Sequence, residues 1–110
     1  MRKLNIILIG LLMSGSPIYL HADGPGWTSL SDVDKLVVTA NGGINVLLSP
    51  QLSGCTSQSG YGEHYASIYP DQPGLDLMQS NLLAAMMANK KVQLYLYDNE
   101  CKVVEMIVEK

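Results

Sequence analysis

Arginine occurs once in the 110 residues, at position 2, and phenylalanine not at all; there are one tryptophan, two cysteines and two histidines. Each scarcity removes a class of chemistry. Past residue 22 the positive charge comes from Lys35, Lys90, Lys91, Lys102 and Lys110 against ten acidic side chains, a formal charge of −5. Binding to a polyphosphate requires clustered cations that displace counterions, so nucleic acid is excluded as a partner. His64 is the single histidine beyond residue 22. A histidine-based metal site would have to be completed by Glu63 and scattered carboxylates, and neighbours at the start of a strand point to opposite faces. Cys55 and Cys101 stand 46 positions apart rather than in a Cys-x-x-Cys pair, which argues against thiol redox catalysis. The glycines at 42, 43, 60, 62 and 74 do not precede a helix with the Lys-Ser/Thr of a phosphate loop. Serine and aspartate are too plentiful for a Ser-His-Asp match to carry information. No convergent acid, base and nucleophile stand out, so the expectation is a protein that is not an enzyme and uses neither metal nor cofactor.

What is present begins with Arg2 and Lys3, the apolar run Leu4 to Met13, and Leu20-His21-Ala22 after small and polar residues. This is the layout of a secretory signal peptide over residues 1–22, with an apolar part too short to span a bilayer. The expected mature chain runs from Asp23 as one domain over 23–110, exported to the periplasm or secreted. It has no second long apolar run, hence no membrane span after cleavage, and no cysteine directly after the signal to carry a lipid. In an oxidising compartment an even cysteine count pairs, which predicts a Cys55–Cys101 disulfide. Closing a loop of that length constrains the unfolded chain by about 4 kcal/mol, a large contribution for so small a core.

The periodicity changes along the mature chain in a readable order. Gly24, Pro25 and Gly26 predict a flexible entry up to Trp27 rather than an element. Val33 to Ala40 and Ile44 to Leu48 are β-rich runs separated by Asn41-Gly42-Gly43, a hairpin signal, and Ser49-Pro50 stops the second strand. Gln51 to Gly62, rich in Ser and Gly, reads as a loop, and His64 to Tyr69 as a third strand ended by Pro70. Leu75, Met78, Leu82, Ala85 and Met86 then recur at helical spacing, with Leu83 and Met87 widening the stripe, Asp71 to Pro73 as the start signal and Lys90 and Lys91 at the C-terminal end. Val92, Leu94 and Leu96 alternate with Gln93, Tyr95 and Tyr97 in a half-buried strand. After Asp98-Asn99-Glu100, Cys101 to Val108 forms a last strand with Val104, Met106 and Val108 inward and Val103, Glu105 and Ile107 outward.

The predicted class is therefore mainly β with one helix: strand, strand, strand, helix, strand, strand. That is the element order of the OB-fold, a partly open five-stranded Greek-key barrel with a helix at one end. An open α+β sheet with a helix on one face is the alternative. Trp27-Thr28, the Val37-Val38-Thr39 strand, a cysteine before the third strand, and Leu82-Leu83-Ala84-Ala85 leading into Asn89-Lys90-Lys91-Val92-Gln93-Leu94-Tyr95 complete the pattern. In these features the mature chain resembles the B subunits of subtilase cytotoxin and pertussis-like toxins, and a wider set of small exported bacterial proteins without assigned role. The resemblance implies an OB barrel, a ring of five copies, and recognition of host glycans, often sialylated. The family's sugar pocket uses a serine between the Trp-Thr step and the first strand; Ser29 and Ser31 stand there with a different spacing.

Aromatic residues point the same way from the residues themselves. Gln93, Tyr95 and Tyr97 share a face of the fourth strand, and Tyr65 and Tyr69 a face of the third. Rings with a polar tip stack on the apolar faces of sugars, although tyrosine is also simply favoured in strands. Trp27 either anchors the N-terminal arm or meets a ligand. The candidate ligand-binding residues are thus Trp27, Ser29, Ser31, Gln93, Tyr95 and Tyr97. An exposed edge at the last strand predicts a homo-oligomer, with a ring as one form of it. Two functions stay open: a glycan-recognising, B-subunit-like ring with a glycan receptor as partner, or a periplasmic interaction or inhibitor module that docks a protein through its barrel edge or the Gln51 to Gly62 loop.

Overall fold

The computed structural model describes residues 25–110. The predicted signal peptide lies outside the described residues. Six strands and one helix follow in chain order: β1 (Gly26–Trp27), β2 (Asp32–Val38), β3 (Ile44–Ser49), β4 (Tyr65–Ile68), α1 (Leu75–Ala88), β5 (Lys91–Leu96) and β6 (Val103–Glu109), with a short 3-10 turn at Gln58–Gly60. The protein is mainly β with one helix between the β4 and β5 strands, as the element order predicted.

The strands assemble as two three-stranded antiparallel sheets, β2-β3-β4 and β1-β5-β6, and the ladders do not close into a five-stranded barrel. Two isolated bridges tie the sheets together. Ser31 exchanges backbone hydrogen bonds with Val92 (both 2.9 Å), and Ser67 meets Lys102 in a parallel bridge, its N–H donating to the Cys101 carbonyl at 3.0 Å. The segment expected to be a flexible entry is instead ordered: Gly26 and Trp27 pair with Leu96 and Tyr95, and the Thr28 N–H donates to the Leu94 carbonyl at 2.9 Å. Gly26 makes this course accessible with φ +124°, which side-chain-bearing residues rarely adopt. The N-terminal stretch thus runs along β5, then bends at Ser31 into β2.

The predicted β2–β3 hairpin forms, with Asp32 opposite Ser49 through to Val38 opposite Ile44 and a bulge between Val33 and Lys35. Its loop closes where Thr39 N–H reaches the Gly43 carbonyl and Gly42 N–H the Thr39 carbonyl, each at 2.9 Å. Gly42 sits at φ +91°, the positive backbone angle that an Asn-Gly step supplies.

The core lies between the sheets and under α1, which packs on β2, β5 and β6. Ile44, Val46, Leu48, Ala66 and Ile68 enter it from one sheet, and Val92, Leu94, Leu96 and Val103 from the other. Met78, Leu82 and Ala85 are the buried residues of α1, with Leu75 and Met86 at the margin. Leu83 and Met87, expected to widen that stripe, are 47% and 77% exposed. The helix buries the stripe of Met78, Leu82 and Ala85, and Leu83 and Met87 lie off that stripe toward solvent. The helix begins at Gly74 without a side-chain cap, carries Asp76 in its first turn, and ends at Asn89 in the left-handed conformation, whose N–H donates to the Ala85 carbonyl. Lys90 and Lys91 fall beyond its last turn; Lys91 opens β5 and pairs with Asp32 at 2.9 Å.

The phase of the last strand also differs from expectation. A register shift at Tyr95/Leu96 sets Leu96 opposite Val103 but Tyr95 opposite Glu105. The extra residue turns Val103 inward, fully buried, while Met106 packs at the core margin and Val108 is exposed.

Cys55 and Cys101 form the predicted disulfide, with Cα atoms 5.3 Å apart. It fixes the Gln51 to Gly62 loop to the turn before β6. The same loop is held by Cys55 N–H to the Glu63 carbonyl (3.0 Å), Gly54 N–H to Glu63 Oε1 (3.1 Å), and a 2.6 Å contact between His64 Nδ1 and the Leu52 carbonyl.

Candidate functional site

On the outer face of β1-β5-β6 the register places Trp27, Tyr95 and Glu105 in one row across the three strands. The Trp27 and Tyr95 rings meet edge to face, centroids 5.2 Å apart at 83°, an arrangement favoured by the ring quadrupoles. Trp27 nevertheless stays 43% exposed. Its strand pairs only with β5, so one side of the indole has no sheet neighbour among the described residues.

Gln93 lies two residues before Tyr95 on the same face and donates Nε2–H to the Thr28 carbonyl at 2.9 Å. That bond fixes the amide against the N-terminal arm and leaves Oε1 as its remaining acceptor. Thr28 is itself buried, its hydroxyl accepting from the Leu94 N–H at 3.0 Å. Tyr97 continues the face past the end of β5, mostly exposed, with its N–H bonded to the Lys102 carbonyl at 2.7 Å. The structure therefore gathers Trp27, Gln93 and Tyr95 into one patch, with Tyr97 at its end.

The two serines are placed differently. Ser31 is buried at the junction of the sheets and donates its hydroxyl to the Ser29 carbonyl at 2.9 Å. Ser29 is exposed on the arm between Trp27 and that junction. Glu105 was assigned an outward position by alternation in the last strand, but its place beside Tyr95 depends on β5–β6 register, for which the sequence has no local signal.

Tyr65 of β4 and Tyr69 just after it have different partners. Tyr65 takes Tyr61 of the preceding loop as its edge-to-face partner at 5.7 Å, whereas Tyr69 lies beneath Lys102 Nζ at 5.1 Å from the ring centroid. Burial pushes the Tyr69 hydroxyl above the ordinary tyrosine range, with the charges of Glu100 and Asp98 acting in the same direction. Asp98 Oδ1 also accepts from the N–H groups of Glu100 (3.1 Å) and Lys102 (3.2 Å), so it shapes the turn.

The other polar concentration centres on the buried Gln58, Asn45 and Ser67, which bond to one another. Gln58 donates Nε2–H to the Ile68 carbonyl (2.9 Å) and accepts at Oε1 from Asn41 Nδ2 (2.9 Å). Its backbone N–H reaches Ser67 Oγ (3.0 Å), and its carbonyl accepts from Asn45 Nδ2 (2.9 Å). Ser67 Oγ donates to Asn45 Oδ1 at 2.7 Å. These groups clamp the loop onto the outer side of β3 and β4 and use the hydrogen-bonding capacity that a ligand would need. Among the described residues no group of three or more His, Cys, Asp or Glu side chains is arranged to hold a metal ion, and no helix is long and apolar enough to cross a membrane.

Comparison with family models, with curated proteins and with solved structures gives no match to this chain.

Proposed function

We propose that the protein is an exported carbohydrate-binding module that takes its ligand on the outer face of β1-β5-β6. The observation that carries this reading is the Trp27–Tyr95 pair: two rings already locked edge to face, 5.2 Å apart, with the indole still 43% exposed. A rigid aromatic surface loses little entropy on binding, and a sugar ring presents the axial C–H groups that stack on it. Gln93, fixed through Thr28, supplies an oriented polar group beside the rings. The disulfide supports export, since such bonds persist in oxidising compartments.

The architecture we propose behind this site is a partly open OB-like barrel. The arm from Gly26 that crosses from β5 to β2 at Ser31 and the parallel Ser67–Lys102 bridge support it. The likeness to toxin B subunits supports a homo-oligomeric ring, as does the position of β6 at a sheet edge.

A glycan array probed with the exported protein and with Trp27→Ala tests the reading. The expected result is a defined sugar class bound by the native protein and lost in the variant, with the unfolding midpoint little changed because Trp27 is half-exposed. Absence of signal from the native protein would refute it. That outcome would favour a second reading, a protein-docking module, supported by the clamped loop Gln51 to Gly62 with Tyr61 47% exposed at its C-terminal end.

A further inference from the structure

The charge and hydrogen-bonding character around the Trp27–Tyr95 pair narrows the ligand class, an inference that rests on the carbohydrate reading above. In antiparallel pairing, directly opposed residues project to the same face with Cβ atoms roughly 5 Å apart, so the exposed Glu105 carboxylate flanks Tyr95 on the side away from Trp27. Gln93 has its Nε2 engaged by the Thr28 carbonyl at 2.9 Å. It can still offer Oε1 as an acceptor and its second Nε2–H as a donor. Two nearby cations are engaged: Lys91, next along the same face of β5, pairs with Asp32 at 2.9 Å, and Lys102 Nζ sits over the Tyr69 ring at 5.1 Å. The β5–β6 turn beyond Tyr97 adds Asp98 and Glu100. The patch is therefore aromatic and flanked by negative charge.

We infer that this face selects neutral glycans with an unsubstituted terminal hexose, and discriminates against sialylated ones. The exposed indole stacks on the C–H face of the sugar with the Tyr95 ring set across it, while Glu105 accepts hydrogen bonds from adjacent hydroxyl groups, a contact strengthened by its charge. A terminal sialic acid would bring a carboxylate toward Glu105, and the two like charges would repel. The resemblance to toxin B subunits implied often-sialylated ligands, and the side chains around this patch point to the opposite preference.

The test uses matched pairs of glycans, such as lactose and sialyllactose on the same polymer, titrated against the exported protein and against Glu105→Gln, Glu105→Lys and Trp27→Ala. The native protein is expected to prefer the neutral member of each pair. Glu105→Gln should weaken that binding by about tenfold, as loss of a charged hydrogen-bond acceptor does, and Glu105→Lys should raise binding of the sialylated member relative to the neutral one. Glu105 is exposed and its replacement should leave the unfolding midpoint unchanged, which separates loss of ligand from loss of fold. Preference for sialylated glycans that still depends on Trp27 would overturn this inference and leave the carbohydrate reading standing. Neutral binding indifferent to Glu105→Gln would also overturn it. No binding to either member would overturn both.

Discussion

Gly43 is the position where a single added methyl group meets the least room. A Cβ there would lie 2.3 Å from Gln58 Oε1 and 2.7 Å from the Ile68 carbonyl oxygen. The glutamine amide could swing away, but only by giving up its bonds to Asn41 and Ile68; the carbonyl belongs to β4 and cannot. Gly43→Ala is therefore expected to destabilise the fold by about 1–3 kcal/mol, the usual cost of overpacking. Chemical denaturation checks this, and an unchanged midpoint would show that Gln58 does not clamp the loop as described. Its neighbour Gly42 is needed for a different reason: a Cβ there would make only an ordinary contact with Pro70 at 3.9 Å, and φ of +91° sets the requirement. Two adjacent glycines thus do different work, one in the backbone angle of the hairpin and one in the approach of a loop to a sheet. The hairpin role was readable from Asn41-Gly42; the second depends on a contact with a residue many positions away and had no local trace.

At the scale of elements the local signals were the legible ones. Period 3.6 from Leu75 to Met86 and period 2 from Val92 to Leu96 placed α1 and β5, since the residues that set those periods are buried or lie at the core margin. What failed to show was pairing between distant segments. The order of Gly26 and Trp27 comes from β5, some seventy residues later in the chain, and a Gly-Pro-Gly stretch read alone looks like a linker. The inward turn of Val103 follows from a bulge, which shifts alternation by one residue without altering the local pattern. The Gln51 to Gly62 loop has no regular ladder, and its order rests on the disulfide and the Gln58 clamp. Cys55→Ser, Cys101→Ser should therefore lose about 4 kcal/mol relative to the oxidised protein. Denaturation of the double variant beside the native protein measures this, and intact mass before and after alkylation verifies the bond. A difference below about 1 kcal/mol would mean that the non-covalent contacts hold the loop in the unfolded chain or make the crosslink redundant.

For the whole molecule the proposed site and the proposed ring make connected demands. A single patch built on Trp27, Tyr95, Gln93 and Glu105 has a small contact area, and a ring that presents several copies on one side raises avidity without any new contact. The β6 strand is suited to make that ring. It is a sheet edge among the described residues, with unpaired backbone groups along its far side, and Ile107 and Val108 are 40% and 41% exposed. An edge of this kind, without proline and carrying apolar side chains, favours pairing with another chain. Joining it to a different strand of the next copy would be a head-to-tail contact, which closes into a ring when the rotation permits. Light scattering coupled to size exclusion at two micromolar concentrations should give a constant mass several times that of one mature chain, and Val108→Lys should reduce it to the monomer mass by placing an unpaired charge in the contact. In the same variant, affinity for a monovalent neutral sugar should hold while retention on a multivalent glycan surface falls at least tenfold, because the individual sites survive and the avidity does not. A native protein that is monomeric throughout would remove the ring, and the sugar site would then have to reach its working affinity through one patch alone.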